Sequence, residues 1–282
     1  MILSYHPCFE ADKNMLCAGR EPDTGDLSEI KAAAAVILPQ GCYKSLYEMA
    51  QMNCRHIFPN FETRFKYEGK IGQIRLFKET GTAHPKTEIY LNINAYYGHY
   101  GDLYPKPDIG FPLVFKFNWG GEGEQVYLIK SSSELLNILQ MAKTFERSGQ
   151  AGFIIQEYIP SEKRSLRVVV IGKTFISYWR ILENNESFCS SLAKGAIIDR
   201  DSDPTLREKA VRSVKDFCYL TGINLAGFDL LFSADERGNL PIFLEINYYF
   251  GRRGLGGSEK FYDLLETEII KWIESLDLSA GH

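Results

Sequence analysis

The chain has 282 residues, 45% hydrophobic and 24% charged, with a formal net charge of −4. That length suits a soluble globular protein of two or three subdomains, and the mild negative balance gives no electrostatic reason to expect nucleic acid as a partner. No run approaches the ~20 apolar residues of a membrane span.

The six cysteines, Cys8, Cys17, Cys42, Cys54, Cys189 and Cys218, are scattered without a Cys-x-x-Cys pair. They read as reduced thiols of a cytoplasmic protein rather than a disulfide framework or zinc site. Met1–Pro7 is too short and too polar afterwards for a signal peptide. The five histidines are isolated and read as structural or exposed.

Met1–Tyr5 is fit for a first strand and Met15–Gly19 for a second. Asp26 or Ser28 would cap a short helix through Lys31, leading into the apolar Ala34–Leu38. Lys44–Met52 has helical spacing, and His56–Phe58 is a further strand. Short strands and helices alternate here, which implies a small open α/β lobe ending near Pro59. Gly69–Lys78 follows with Ile71, Ile74 and Phe77 on one helical stripe, and Lys86–Tyr90 reads as extended. Leu91–Pro112, rich in Tyr, Gly, Pro and Asn, reads as an irregular connection.

Leu113–Phe117 and Gln125–Ile129 are strand patterns around Asn118-Trp-Gly-Gly-Glu-Gly-Glu124. Gly120, Gly121 and Gly123 allow positive φ and let backbone N–H groups close around an anion; plain turn chemistry is the competing explanation. No helix opens from this loop, so it is neither a Walker A loop nor a Rossmann turn. Lys116 inside an apolar strand calls for an anionic partner, because burial of an unpaired ammonium costs several kcal/mol.

Ser133 would cap an amphipathic helix with Leu135, Leu136, Leu139, Ala142 and Phe145 on its core face. Phe153–Ile159, Arg167–Ile171 and Thr174–Ile181 are strands. Pro204 after Asp203 opens a helix that Gly222 stops. Tyr262–Leu276 is a closing amphipathic helix.

The chemistry concentrates in Gly227–Phe232 and Ile242–Asn247, two apolar runs joined by a polar turn. Glu245 and Asn247 project from one face of a strand. A hairpin symmetric about Arg237 puts Asp229 opposite Glu245, with Cβ atoms roughly 5 Å apart. Facing carboxylates need a positive charge between them, and hard oxygen ligands favour Mg²⁺. The other reading is of polar residues on a half-solvated hairpin.

From Pro59 onward the chain resembles the ATP-grasp superfamily, nearest the ribosomal protein S6 modification and glutathione synthetase-like carboxylate–amine ligases. The resemblance rests on Gly69-Lys70, Pro85-Lys-Thr87, Pro112–Lys116 with its glycine loop, Gln156-Glu-Tyr-Ile159, Arg167–Gly172, Arg180, Gly227–Leu231 and Glu245-Ile-Asn247. It implies an α+β ATP-grasp fold with a short N-terminal α/β lobe. The corresponding division is a pre-ATP-grasp lobe over 1–65, a small lobe over 66–155 and a large lobe over 156–282.

The same resemblance implies ATP and Mg²⁺ as cofactors. Lys70, Lys116 and the loop containing Gly120, Gly121, Glu122 and Gly123 would hold phosphates. Gln156, Glu157, Tyr158 and Ile159 would read the nucleotide, with Glu157 on the adenine amino group or the ribose. Asp229, Glu245 and Asn247 would bind the metal, and Arg167 and Arg180 would act near the transferred phosphoryl group.

Three places depart from the family pattern. Ser165 stands where the family often has Asp, at a ribose or substrate contact. Ser191–Ala196, containing Lys194, replaces an Asn-Leu-x-x-Gly-Gly stretch near the substrate. Tyr248–Gly257 carries two aromatics and the pair Arg252 and Arg253 where small residues are usual; it reads as a distinctive pocket for an anionic or aromatic substrate, or as packing. The implied reaction is ATP-dependent joining of a small-molecule or peptide carboxylate to an amine or thiol through an acylphosphate. A kinase on the same scaffold and a catalytically silent ATP sensor are the alternatives.

Overall fold

Short apolar runs near the N-terminus pair into a parallel sheet, and two antiparallel sheets follow it along the chain. The computed structural model describes residues 1–101, 107–120, 125–161, 163–182, 196–233 and 240–276. The first sheet has strands β1 (Ile2–Ser4), β2 (Lys13–Asn14), β3 (Ala35–Ile37) and β4 (Ile57–Phe58), in the order β2-β1-β3-β4. Helices α1 (Thr24–Ala32), α2 (Lys44–Asn53) and α3 (Glu62–Lys66) accompany it.

Two expectations change here. The second strand lies at Lys13–Asn14 and not at Met15–Gly19, because it pairs beside Leu3 and Ser4 before the chain turns away. Helix α1 is capped by Asp23, whose carboxylate accepts from Gly25 and Asp26 N–H while Asp26 reaches back to Asp23 N–H. Asp26 is thus the third residue of a capping box rather than the cap.

The second sheet joins β5 (Thr87–Tyr90), β6 (Leu113–Phe117), β7 (Val126–Ile129) and β8 (Phe153–Glu157) in the order β5-β8-β6-β7. Phe115, Phe117, Phe153 and Ile155 turn one face into a core of their own under α5 (Ile93–Tyr100) and α6 (Ser132–Arg147). Helix α5 lies in the stretch read as irregular. Asn92 caps it by accepting from Ala95 N–H at 2.8 Å, and Ile93 and Tyr96 form its buried side. Helix α6 is capped by Ser131, two residues earlier than expected, and Leu136 faces solvent while Ile138 is buried.

The third sheet carries β9 (Arg164–Ile171), β10 (Thr174–Ile181), β11 (Ile197–Asp199), β12 (Leu225–Leu231) and β13 (Ile242–Asn247), all antiparallel, in the order β11-β10-β9-β12-β13. Helices α7 (Pro204–Thr221) and α8 (Ser258–Glu274) cover it; α8 begins four residues before the expected Tyr262. Val168, Val170, Phe228 and Phe217 belong to one large core shared with the first sheet and with α4 (Gly69–Glu79).

Helix α4 positions the site. Its Ile71, Ile74 and Phe77 enter the large core, where Ile154 of β8 also packs. Gln73 donates from Nε2 to the Ile246 carbonyl at 2.8 Å and accepts from Ile246 N–H at 2.9 Å. A side-chain amide therefore satisfies the backbone donor and acceptor of one residue on β13, which is the edge strand of its sheet. The five described cysteines are free thiols. Among the described residues no helix is long and apolar enough to cross a membrane.

Candidate active site

One polar row crosses the third sheet. Tyr178 on β10, Arg167 on β9, Asp229 on β12 and Glu245 on β13 are consecutive cross-strand partners. The expected opposition of Asp229 and Glu245 is therefore present, with a register shift only beyond it, at Leu230. Alternation keeps Gly227 and Asn247 on the same face. Gly227 is glycine for a spatial reason: a Cβ there would lie 3.0 Å from Arg167 Nη1 and 3.1 Å from Phe250 Cβ.

Asp229 is the hub of the row. Arg167 donates from Nε to Oδ1 and from Nη2 to Oδ2, the latter at 3.0 Å. Arg180 Nη2 lies 2.8 Å from Oδ1, and its Nε and Nη2 also donate to Ser165 Oγ at 3.2 and 2.9 Å. All four side chains are buried. Burial acts to raise the Asp229 carboxyl, but Arg167 and Arg180 more than offset it and hold the group below the ordinary carboxylate range. Burial likewise acts against the Arg167 charge, and Asp229 restores it, leaving its pKa raised.

Ser165 thus orients an arginine, a role that sequence reasoning had not given it. Ser165 and Arg180 being cross-strand partners is the feature that would have revealed it.

The donor set fits a hard divalent cation. A carboxylate offers about four lone-pair positions. On Asp229 two face Arg167, one faces Arg180, and one accepts from Asn247 Nδ2 at 3.3 Å. Turning the Asn247 amide over would free that last position and present Oδ1 beside it. Glu245 is half-buried opposite Asp229 and makes no hydrogen bond or ion pair among the described residues. Among the described residues no three His, Cys, Asp or Glu side chains converge, so an amide must complete any such set. Glu245, Asn247 and one Asp229 oxygen are the groups that could hold Mg²⁺.

Lys70 approaches from α4. Its Nζ donates to the carbonyls of Trp119 and Gly120 at 3.0 and 2.9 Å, at the start of the glycine loop. Burial lowers its pKa, and the Glu245 charge counters part of that. Asn118 fixes the helix start: its Oδ1 accepts from Ile71 N–H at 2.9 Å and its carbonyl from Lys70 N–H. Gly69 has φ +67°, and a Cβ there would meet Asn118 Oδ1 at 2.5 Å.

On the second sheet, Lys116 and Gln156 lie on the face opposite Phe115 and Ile155. Lys116 is half-buried, and Gln156 is fully buried with Nε2 donating to Thr87 Oγ1 at 2.9 Å. Glu157 ends β8, bonded through its backbone N–H to the Lys86 carbonyl at 2.9 Å. Tyr158 is half-buried and Ile159 buried just beyond it.

Arg252 stands apart from the polar row, its guanidinium 4.6 and 4.5 Å from the ring centroids of Phe261 and Tyr262. Arg253 is exposed and opens a short 3₁₀ turn through Leu255. Gly121, Glu122, Gly123 and Lys194 lie outside the described residues.

Comparison with known proteins places these elements in a lineage. A model described as the RimK-like ATP-grasp domain matches residues 69–273. A "Glutamate--LysW ligase ArgX" of Sulfurisphaera tokodaii is 26% identical over 183 residues, 64% of this chain and 63% of that protein's length. The protein of the same description from Sulfolobus acidocaldarius is 24% identical over 208 residues, 73% of this chain and 72% of the relative.

Among solved structures, the RimK domain ATP-grasp protein of Sphaerobacter thermophilus superposes with a TM-score of 0.62 at 13% identity, covering 95% of this chain and 98% of its own. The ATP complex of Bacillus anthracis D-alanine--D-alanine ligase gives 0.64 at 15% identity, covering 97% and 90%. The fold is accordingly ATP-grasp, and with the domain match spanning most of its length the chain belongs to the RimK-like ATP-grasp family.

Proposed function

We propose that the chain is an ATP-dependent ligase that joins a carboxylate to an amine (or thiol) through an acylphosphate. The observation that carries this reading is the buried Arg167–Asp229–Arg180 cluster beside Glu245, which accepts no hydrogen bond among the described residues. Two fixed guanidinium groups next to a cation-ready carboxylate suit a reaction whose charge develops on phosphoryl oxygens.

The carboxylate oxygen of one substrate attacks the γ-phosphorus of ATP, forming an O–P bond as the bond to ADP breaks. The amine then attacks the acyl carbon, the C–O bond breaks, and inorganic phosphate leaves with that oxygen. The amine's proton passes to solvent. Arg167 and Arg180 orient the anionic oxygens, and Lys70 and Lys116 neutralise the phosphates. Mg²⁺ on Glu245, Asn247 and Asp229 would lower the repulsion between ATP and the incoming carboxylate.

The partners are ATP, a small-molecule or peptide carboxylate and an amine. By the names of the two relatives, glutamate is the first compound to test. Division into 1–65, 66–155 and 156–282 is supported by the three sheets, although helix α3 crosses the first boundary and β8 the second. The test is a screen of amino acids and small acids for ATP consumption. ADP with inorganic phosphate and an amide supports the ligase; a stable phosphorylated product means a kinase, and no consumption means a sensor.

A further inference from the structure

A cleft of about 460 Å³ opens beside Asn247, between α3, the start of α4 and the segment after β13. Its walls include Lys44, Arg64, Tyr67, Gln73, Tyr248 and Tyr249. Three separate stretches of chain are tied together around it. Gln40, following β3, donates from Nε2 to the Tyr248 carbonyl at 2.7 Å. The Gln40 carbonyl accepts from Arg64 Nη1 at 2.9 Å, and Tyr248 Oη lies 2.9 Å from Thr63 Oγ1. Gln73 locks the Ile246 peptide next to them.

Arg64 is the unusual group in this wall. Its guanidinium lies 5.0, 4.7 and 4.7 Å from the ring centroids of Phe61, Phe65 and Tyr249. Nη2 donates to Tyr249 Oη at 2.5 Å. Among the described residues it has no carboxylate partner, although it is half-buried. A guanidinium carries five N–H donors in a plane, so two used donors leave a charged edge already fixed in orientation. Rings on its faces direct recognition to that edge. Lys44 supplies a second cation; among the described residues its one ion pair is with the exposed Glu68, also in the cleft wall, at 3.3 Å, a contact of little strength.

We propose that this cleft binds the amine substrate through a carboxylate of that substrate, with Arg64 as the recognising group and Lys44 in support. A planar, oriented guanidinium matches a carboxylate through two parallel N–H···O bonds. The cleft also has Asn247 in its wall, so a substrate anchored there has its other end beside the candidate metal residues. Tyr67, Tyr248 and Tyr249 supply flat walls for the carbon skeleton. That the bound molecule is the amine rests on the ligase reading; the recognition of a carboxylate does not.

The experiment is calorimetry on the full chain with Mg²⁺ and a non-hydrolysable ATP analogue. Glutamate, aspartate and glycine are titrated, with inorganic phosphate and the corresponding amino-acid amides as controls. At least one carboxylate compound should bind, and Arg64→Gln should weaken it tenfold or more. Arg64→Lys should fall between, and the exposed Lys44→Gln, which spares the fold, should cost threefold or more. Analogue affinity should be unchanged in all three.

Binding of no carboxylate compound, equal affinity in wild type and both glutamine variants, or preference for inorganic phosphate would overturn the proposal. Carboxylate binding that depends on Arg64 in a protein that binds no nucleotide would leave the cleft standing and remove the ligase reading.

Discussion

Arg167 and Asp229 face each other across β9 and β12 as cross-strand partners and close a two-pronged ion pair inside the protein. Arg180 completes the arrangement on the same carboxylate oxygen. Asp229 therefore has a structural duty that Glu245 lacks, and the two carboxylates should respond differently to neutralisation.

Asp229→Asn removes the carboxylate that pairs directly with two buried guanidinium groups. Breaking such a pair costs about 3–5 kcal/mol, so the denaturant midpoint should drop sharply. Glu245→Gln breaks no ion pair among the described residues and removes only a charge that supports Lys70 and Arg167 from a distance, so its midpoint should fall much less, while turnover falls by orders of magnitude. Equal midpoints for the two variants would refute the division of roles.

Lys116→Met keeps the aliphatic volume on β6 and removes its charge. Affinity for Mg-ATP should fall tenfold or more, about 1.4 kcal/mol. Calorimetry showing unchanged binding would place Lys116 outside the phosphate region.

His6 supplies a pH dependence separate from catalysis. Burial, helped by the nearby Arg252 charge, lowers its pKa to about 4. The unfolded chain, with an ordinary value of about 6.5, takes up the proton first as pH falls. Stability carried by neutral His6 is therefore complete above about pH 6.5 and declines toward pH 4. Denaturation midpoints measured across that window should fall with pH, and more shallowly in His6→Gln. Identical slopes would contradict the assignment.

Much of the third sheet was legible because its signals are local. Alternation placed Glu245 and Asn247 on one face, and the short turn set Asp229 opposite Glu245. Pro204 and Gly222 marked both ends of α7 for the same reason. What was not legible depends on distant pairing. The Arg167–Asp229 bond spans 62 positions, and the Arg64–Tyr249 contact spans 185. No spacing rule connects such residues. Helix α5 was missed differently: Tyr, Gly and Asn read as loop formers, yet Ile93, Tyr96 and Tyr100 recur at helical spacing and stack in the second core. Tertiary packing overrode weak local propensity there.

The central claim is that a substrate carboxylate captures the γ-phosphoryl group before the amine arrives. A carboxylate substrate labelled with heavy oxygen tests it most directly, once the screen has identified the pair. The C–O bond breaks in the second step and the O–P bond survives, so each amide formed should deliver one labelled oxygen to inorganic phosphate. Label transfer should persist at reduced rate in Lys116→Met, whose defect is in binding. Amide formation with unlabelled phosphate, or with the label in AMP, would contradict the acylphosphate mechanism.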